Sequence, residues 1–213
     1  MTQDTTSFML VRHAEKIHGL EDLGLTDTGV LQAKETGMAL LEWHPTRIFT
    51  STFPRAVQTA KIIGAIHSLE PIARECLVER RVEPPPGEGT PGFKAEWAKV
   101  DQSRDYRAYG GESSRIAGER LRSCLREIAR ECPHERVVVV THGGITRDFI
   151  LGLVEQEPKY WNLLRTPFLG SSIPYAGVSG VQFYAGTFSL NFVAVSGAGL
   201  ISELASPDGA RRG

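Results

Sequence analysis

The four consecutive valines Val137–Val140 constrain this chain more than any other segment. An unbroken β-branched run reads as a strand buried on both faces, and such strands belong to parallel sheets with helices on either side. The run passes into Thr141-His142-Gly143-Gly144 and then into a helical stretch from Ile145 to about Leu153, which makes a strand, turn and helix unit. The same order occurs twice earlier. Phe8-Met9-Leu10-Val11 stops at Arg12-His13, Thr26-Asp27-x-Gly29 offers N-cap chemistry, and Val30, Leu31, Met38, Leu40 and Leu41 recur with helical spacing up to Pro45. Arg47-Ile48-Phe49-Thr50 reads as a further strand, and Pro54 opens a helix with Val57, Ala60, Ile63 and Ile66 on its apolar face.

The remaining elements are less regular. A weaker strand spans Pro71 to Leu77, and the Pro- and Gly-rich stretch Pro84 to Gly92 has a composition that opposes helix or central strand. A short amphipathic piece covers Phe93 to Val100, and a long helix runs from about Ser113 to Cys132 with Ile116, Leu121, Leu125 and Ile128 on one face. Val181 to Tyr184 and Phe188 to Val195, joined by Ala185-Gly186, read as a late hairpin. The expected fold class is α/β: a layered α/β/α fold with a mainly parallel central sheet and an antiparallel edge strand. With 213 residues, 41% of them apolar, one domain covering 1–213 is expected, in which 82–112 is a loop or insert covering the substrate.

Charge excludes some partners. Lys plus Arg number 24 and Asp plus Glu 25, so no global field recruits nucleic acid or an anionic membrane. No apolar run approaches the ~18 residues of a membrane span. The N-terminal Met1-Thr2-Gln3-Asp4 is polar, and the apolar run after it is too short for a signal peptide, so a soluble cytoplasmic protein is expected. Cys76, Cys124 and Cys132 form no C-x-x-C pair and read as reduced, partly buried thiols.

In open α/β sheets ligands bind beyond the carboxyl ends of the strands. Three such ends carry Arg12-His13, Arg55 and His142, which puts two imidazoles and two guanidiniums on one rim. Planar guanidinium matches a phosphate in bidentate geometry and keeps its charge, so the natural ligand is a phosphoryl group. Gly143 and Gly144 leave room for backbone N–H groups at a helix start to approach the same anion. Between two permanent cations His13 is pushed towards its neutral, nucleophilic form, and His142 is placed to donate a hydrogen bond as phosphoryl charge builds. Glu15, Lys16, Arg80, Arg81 and Arg147 could add contacts or positive potential, whereas Trp43, Trp97 and Trp161 on amphipathic stretches read as core or rim.

These residues resemble the histidine phosphatase superfamily, which includes the cofactor-dependent phosphoglycerate mutases. The matching segments are Leu10-Val11-Arg12-His13-Ala14-Glu15, Leu25-Thr26-x-x-Gly29-x-x-Gln32-Ala33, Thr50-Ser51-x-x-x-Arg55-Ala56-x-x-Thr59 and Val140-Thr141-His142-Gly143-Gly144, with Gly111-Glu112-Ser113 as a further element. The resemblance implies a phosphohistidine on His13, a phosphoryl group held by Arg12, Arg55 and His142, and no metal. It also implies a proton donor in a Leu-x-Glu sequence, which Leu77-Val78-Glu79 matches, with Glu83 and Glu88 as rivals. Ala14 stands where many members carry Gly, a change that leaves its backbone N–H available. The Trp-Asn elements of the mutases are replaced by Lys16-Ile17-His18-Gly19, and the stretch from Glu79 to Gly111 is short for a mutase.

The expectation is a metal-independent phosphatase acting on a small phosphorylated metabolite, with no cofactor. The alternatives are a cofactor-dependent phosphoglycerate-type mutase and a non-catalytic phospho-ligand binding module. Loop composition names neither the substrate nor the oligomeric state, and specificity is expected from residues 82–112 and from Pro167 to Ser179.

Overall fold

The computed structural model describes residues 5–18, 22–160, 162 and 173–205. Met1–Asp4, Gly19, Trp161 and residues 167–172 of the expected specificity loop lie outside the described residues. Six strands form one sheet: β1 (Thr5–Arg12), β2 (Arg47–Thr50), β3 (Ile72–Ala73), β4 (Arg136–Thr141), β5 (Val178–Tyr184) and β6 (Thr187–Val195), in the spatial order β3-β2-β4-β1-β5-β6. Strands β1 to β4 are parallel, and β5 runs antiparallel to both β1 and β6. The valine run lies at the centre, with Val137, Val138, Val139 and Val140 all fully buried.

Side chains alternate across the sheet, so each strand feeds two cores. Phe8, Leu10, Phe49, Val137 and Val139 point to a layer formed by α4 (Ser114–Glu131) and α5 (Gly143–Gln156). Met9, Val11, Ile48, Val138 and Val140 point to the opposite layer. That layer contains α2 (Pro54–His67) and Leu200 of a terminal helix over Ala198–Ala205, with α1 (Asp27–Ala39) packed against α2. Among the described residues, no helix is long and apolar enough to cross a membrane.

Several local expectations are corrected. The apolar residues of α1 do not mark its buried face: Leu31 and Met38 are more than half exposed, while Ala33, Thr36, Gly37 and Ala39 are buried. Small residues let α1 approach α2 closely, and that packing overrides the apolar periodicity. The third strand keeps only Ile72–Ala73, because the chain turns through a 3₁₀ segment at Glu75–Leu77 that buries Leu77. The Pro- and Gly-rich stretch is not helix-free: α3 spans Gly89–Gln102, and Pro91 fits in its first turn, where an amide has no intrahelical partner to lose.

Nor are all three cysteines free thiols. The 3₁₀ turn packs on α4 and brings Cys76 and Cys124 to a Cα separation of 5.9 Å, where they are disulfide-bonded, while Cys132 stays a free, buried thiol. The partners lie 48 residues apart, a separation that carries no motif. In the chain-entropy view a cross-link closing a loop of this size stabilises by about 4 kcal/mol.

Candidate active site

Sheet register assembles the site. Arg12 pairs with Thr141 across β1 and β4, and Thr50 pairs with Val140 across β2 and β4, so Arg12-His13, Ser51 and His142 leave the sheet side by side. The His13 amide donates to Thr141 O at 2.9 Å, and the two imidazole rings meet edge to face with centroids 5.3 Å apart.

The short motifs hold the segment after β1 in place. Thr26 caps α1 through the Gly29 amide, its own amide donates to Glu15 O, and its hydroxyl donates to the Glu15 carboxylate. The Glu15 amide donates to Gln32 Oε1. Gly29 is required for close approach: a Cβ there would meet Glu15 O at 2.1 Å. On the other side the Ala14 amide donates to Thr59 Oγ1 at 3.1 Å. That N–H is therefore engaged by protein rather than open to an anion, contrary to the expectation for Ala14.

His13 is 4% exposed and its ring is bonded at both nitrogens. Nδ1 lies 2.8 Å from Ala14 O, which can only accept, so Nδ1 carries the proton. Arg55 Nε donates to His13 Nε2 at 3.2 Å, so Nε2 presents its lone pair. Burial, followed by the nearby Arg55, Arg12 and Lys16 charges, lowers the His13 pKa to about 3, and the bond to Ala14 O opposes them only in part. The imidazole is thus neutral with the outer nitrogen deprotonated, the form a nucleophile needs.

Both arginines are braced. Arg55 pairs through Nη1 with Asp22 at 2.5 Å and lies over the Phe53 ring at 4.9 Å. Arg12 donates to Ile173 O and stacks on Tyr175 at 4.1 Å, and burial lowers its pKa from the usual value. His142 is fully buried, with Nε2 2.8 Å from Ser51 Oγ and a T-shaped contact to Phe53. Burial and then the Arg55 and Arg12 charges hold it neutral, well below the usual histidine range.

Glu79 sits at the start of α5. Its carboxylate accepts from the amide of Arg80 at 2.8 Å and from those of Gly144 at 3.1 Å and Ile145 at 2.8 Å, the last two being donors that a helix N-terminus leaves open. The Gly-Gly pair therefore serves the glutamate first: a Cβ on Gly144 would lie 2.7 Å from both Glu79 Oε1 and the Trp97 ring, while Gly143 packs against the Arg12 side chain. Arg120 fixes the backbone that carries Glu79, donating to Cys76 O, Val78 O and Glu79 O while pairing with Glu112. Glu112 also accepts from the Arg81 amide, which gives Gly111-Glu112-Ser113 a positioning role.

A cavity of about 440 Å³ opens over this region, lined by Arg12, His13, Lys16, Arg55, Glu79, Phe93, Lys94, Trp97 and Tyr175, while His142 and Gly143 are buried and do not line it. Lys16 is thus on the wall, whereas Glu15 is turned to Thr26. Glu83 and Glu88 are exposed and do not line the cavity. Nor do Arg80, Arg81 and Arg147. Arg80 is buried in ion pairs with Asp101 and Asp148 beneath Trp97, and burial raises the Asp148 pKa to about 6. Arg81 pairs with Glu75, and Arg147 with Asp101. Trp43 packs on the core, but Trp97 lines the cavity. The residues that the motifs did not single out are Asp22, Ser51, Phe93, Lys94 and Tyr175. Of these only Ser51 stood inside a matching segment; Asp22 and Tyr175 come from loops, and Phe93 and Lys94 from the amphipathic piece that forms part of α3.

The profile of the histidine phosphatase superfamily (branch 1) matches residues 8–195. The chain is 31% identical over 164 residues to phosphoglycerate mutase-like protein 4 of Arabidopsis thaliana, covering 68% of this chain and 69% of that protein. It is 30% identical over 167 residues to a metal-independent phosphoserine phosphatase of the same plant, covering 71% and 70%. A mycobacterial glucosyl-3-phosphoglycerate phosphatase superposes with a TM-score of 0.72 at 20% identity, covering 89% of this chain and 99% of that one. A phosphoglycerate mutase from Bacillus anthracis gives 0.68 at 17% identity, covering 95% and 96%. The strand-end histidines and arginines thus stand in a shared fold and a matching profile, and the chain belongs to the histidine phosphatase superfamily.

Proposed function

We propose that this protein is a metal-independent phosphatase that hydrolyses a small phosphomonoester through a phosphohistidine on His13. The observation that carries the reading is the direction of the His13 ring, with Nδ1–H on Ala14 O and the Nε2 lone pair beside Arg55. In the first step Nε2 attacks phosphorus and the ester P–O bond breaks. The leaving oxygen takes a proton from Glu79, whose carboxylate is then held by the Arg80 amide and by two amides of α5. In the second step water attacks phosphorus, Glu79 takes its proton, the P–N bond breaks, and His13 recovers its lone pair as inorganic phosphate leaves. Arg12, Arg55 and His142 stabilise the phosphoryl oxygens throughout, and Gly143, packed against the Arg12 side chain, is assigned to the same anion site.

Hydrolysis is favoured over mutase chemistry because Lys16-Ile17-His18 stands where mutases carry Trp-Asn elements. Segment 82–112 is assigned to cover the substrate, with α3 contributing Phe93, Lys94 and Trp97 to the cavity wall. Lys16 and Lys94 line the cavity together with the two arginines, so the site suits a substrate carrying a second anionic group.

The test is a broad phosphomonoester screen with chelator and without added metal, scored by kcat/KM, with phosphoglycerate isomerisation measured with and without a bisphosphate. Chelator-resistant phosphate release is the expected result. Isomerisation far faster than hydrolysis would make the protein a mutase. Phosphate binding without release from any ester would make it a binding module.

A further inference from the structure

We infer that Ser51 is a positioning residue that sets the tautomer of His142, leaving Nδ1–H as a donor reserved for the phosphoryl group. The argument is a count of donors and acceptors in a buried pair. Ser51 is fully buried, and its Oγ accepts the Phe53 amide at 3.3 Å. Among the described residues the one acceptor for its own proton is His142 Nε2, 2.8 Å away. His142 Nδ1 has no partner and is completely shielded from solvent.

Two arrangements of protons fit the heavy atoms. If His142 donated from Nε2, the Ser51 proton would have no acceptor, and Nδ1 would be a lone pair without a donor. If Ser51 donates, every group of the pair is satisfied except one, the Nδ1–H. Buried polar groups are rarely left unpaired, and one left so in a site calls for a reason such as a catalytic role. The second arrangement leaves fewer unpaired groups, and the one it leaves is the right kind: a hydrogen-bond donor on a ring 5.3 Å from the His13 ring. The first arrangement would instead place a lone pair there, which repels an oxyanion. The lowered pKa of His142 is consistent with this, since a neutral imidazole has a single N–H and its position matters.

Register explains why a serine can do this. Thr50 pairs with Val140 in the sheet, so the residue after β2 comes level with the chain just before His142. The Ser51 amide donates to Val140 O at 2.9 Å, which fixes the residue independently of its hydroxyl. The Ser51→Ala substitution therefore removes the hydroxyl without removing the backbone anchor.

This inference rests on the proposed phosphoryl role of His142, but its test reads the free enzyme without substrate, so the two can fail separately. In wild-type protein labelled with ¹⁵N-histidine, long-range ¹H–¹⁵N correlation near neutral pH should show His142 protonated at Nδ1 and bare at Nε2. Addition of inorganic phosphate should move the Hδ1 resonance downfield. Ser51→Ala should shift His142 to the other tautomer or to a mixture, and lower kcat ~10- to 100-fold with a smaller change in KM. Wild-type His142 protonated at Nε2 overturns the inference, and this holds even if the variant does not fold. So does a folded Ser51→Ala protein in which the His142 tautomer is unchanged, whatever its activity.

Discussion

The His13→Ala variant should lose at least ~10⁴-fold in kcat against any phosphomonoester that the wild type turns over, because the proposed covalent intermediate forms on the imidazole that the substitution removes. The protein should still melt cooperatively. The His13 backbone remains tied to Thr141 O and to the Ala176 amide, and the bracing of Arg12 and Arg55 by Ile173, Tyr175 and Asp22 does not pass through the imidazole. The pH dependence adds a second reading of the same residue. A pKa lowered to about 3 means that His13 stays neutral and nucleophilic above that pH and is blocked by protonation only below it. The profile of kcat/KM should show no step from His13 between pH 5 and 8. A variant that kept a tenth of wild-type turnover would remove His13 from the chemistry.

The second large effect concerns Glu79. Replacement by Gln keeps one oxygen to accept from α5 but turns an NH₂ towards amides that need an acceptor, so part of the docking at Gly144 and Ile145 is lost for every substrate. Beyond that common cost, Gln has no proton to give. Alkyl phosphates, whose alkoxide leaves poorly, should slow by ~10²- to 10⁴-fold, while p-nitrophenyl phosphate should slow by less than ~10-fold. Steady-state kcat on the two substrate types separates the roles. Equal losses would make Glu79 a structural cap for α5 rather than the proton donor.

Much of the site was legible because its chemistry sits at strand ends. Arg12, His13 and His142 were readable from where apolar runs stop, and the register of β1, β2 and β4 brings those ends together. The N-cap at Thr26 and the long helix that buries Leu121, Leu125 and Ile128 were legible for similar local reasons, although Ile116, expected on the same face, is exposed in its first turn. What was not legible depends on tertiary contact. The buried face of α1 follows its small residues because α2 is close, and α3 begins inside a Pro- and Gly-rich stretch because helix starts tolerate proline. Asp22 braces Arg55 from a loop with no pattern, and Phe93, Lys94 and Tyr175 lie in the segments expected to set specificity, whose composition does not say which side chains face the cavity. The Cys76–Cys124 bond joins segments that meet only after α4 has packed. The Gly-Gly pair was legible as room for an approaching group; that the group in the free protein is the Glu79 carboxylate was not.

The most direct measurement is rapid-quench trapping of the phosphoenzyme with a ³²P-labelled substrate, followed by peptide mapping. Acid-labile, base-stable label on His13 Nε2, formed and lost at rates that account for kcat and absent from His13→Ala, is the predicted result. Turnover without any such label, or label that is chased too slowly to account for kcat, would contradict a covalent phosphohistidine route.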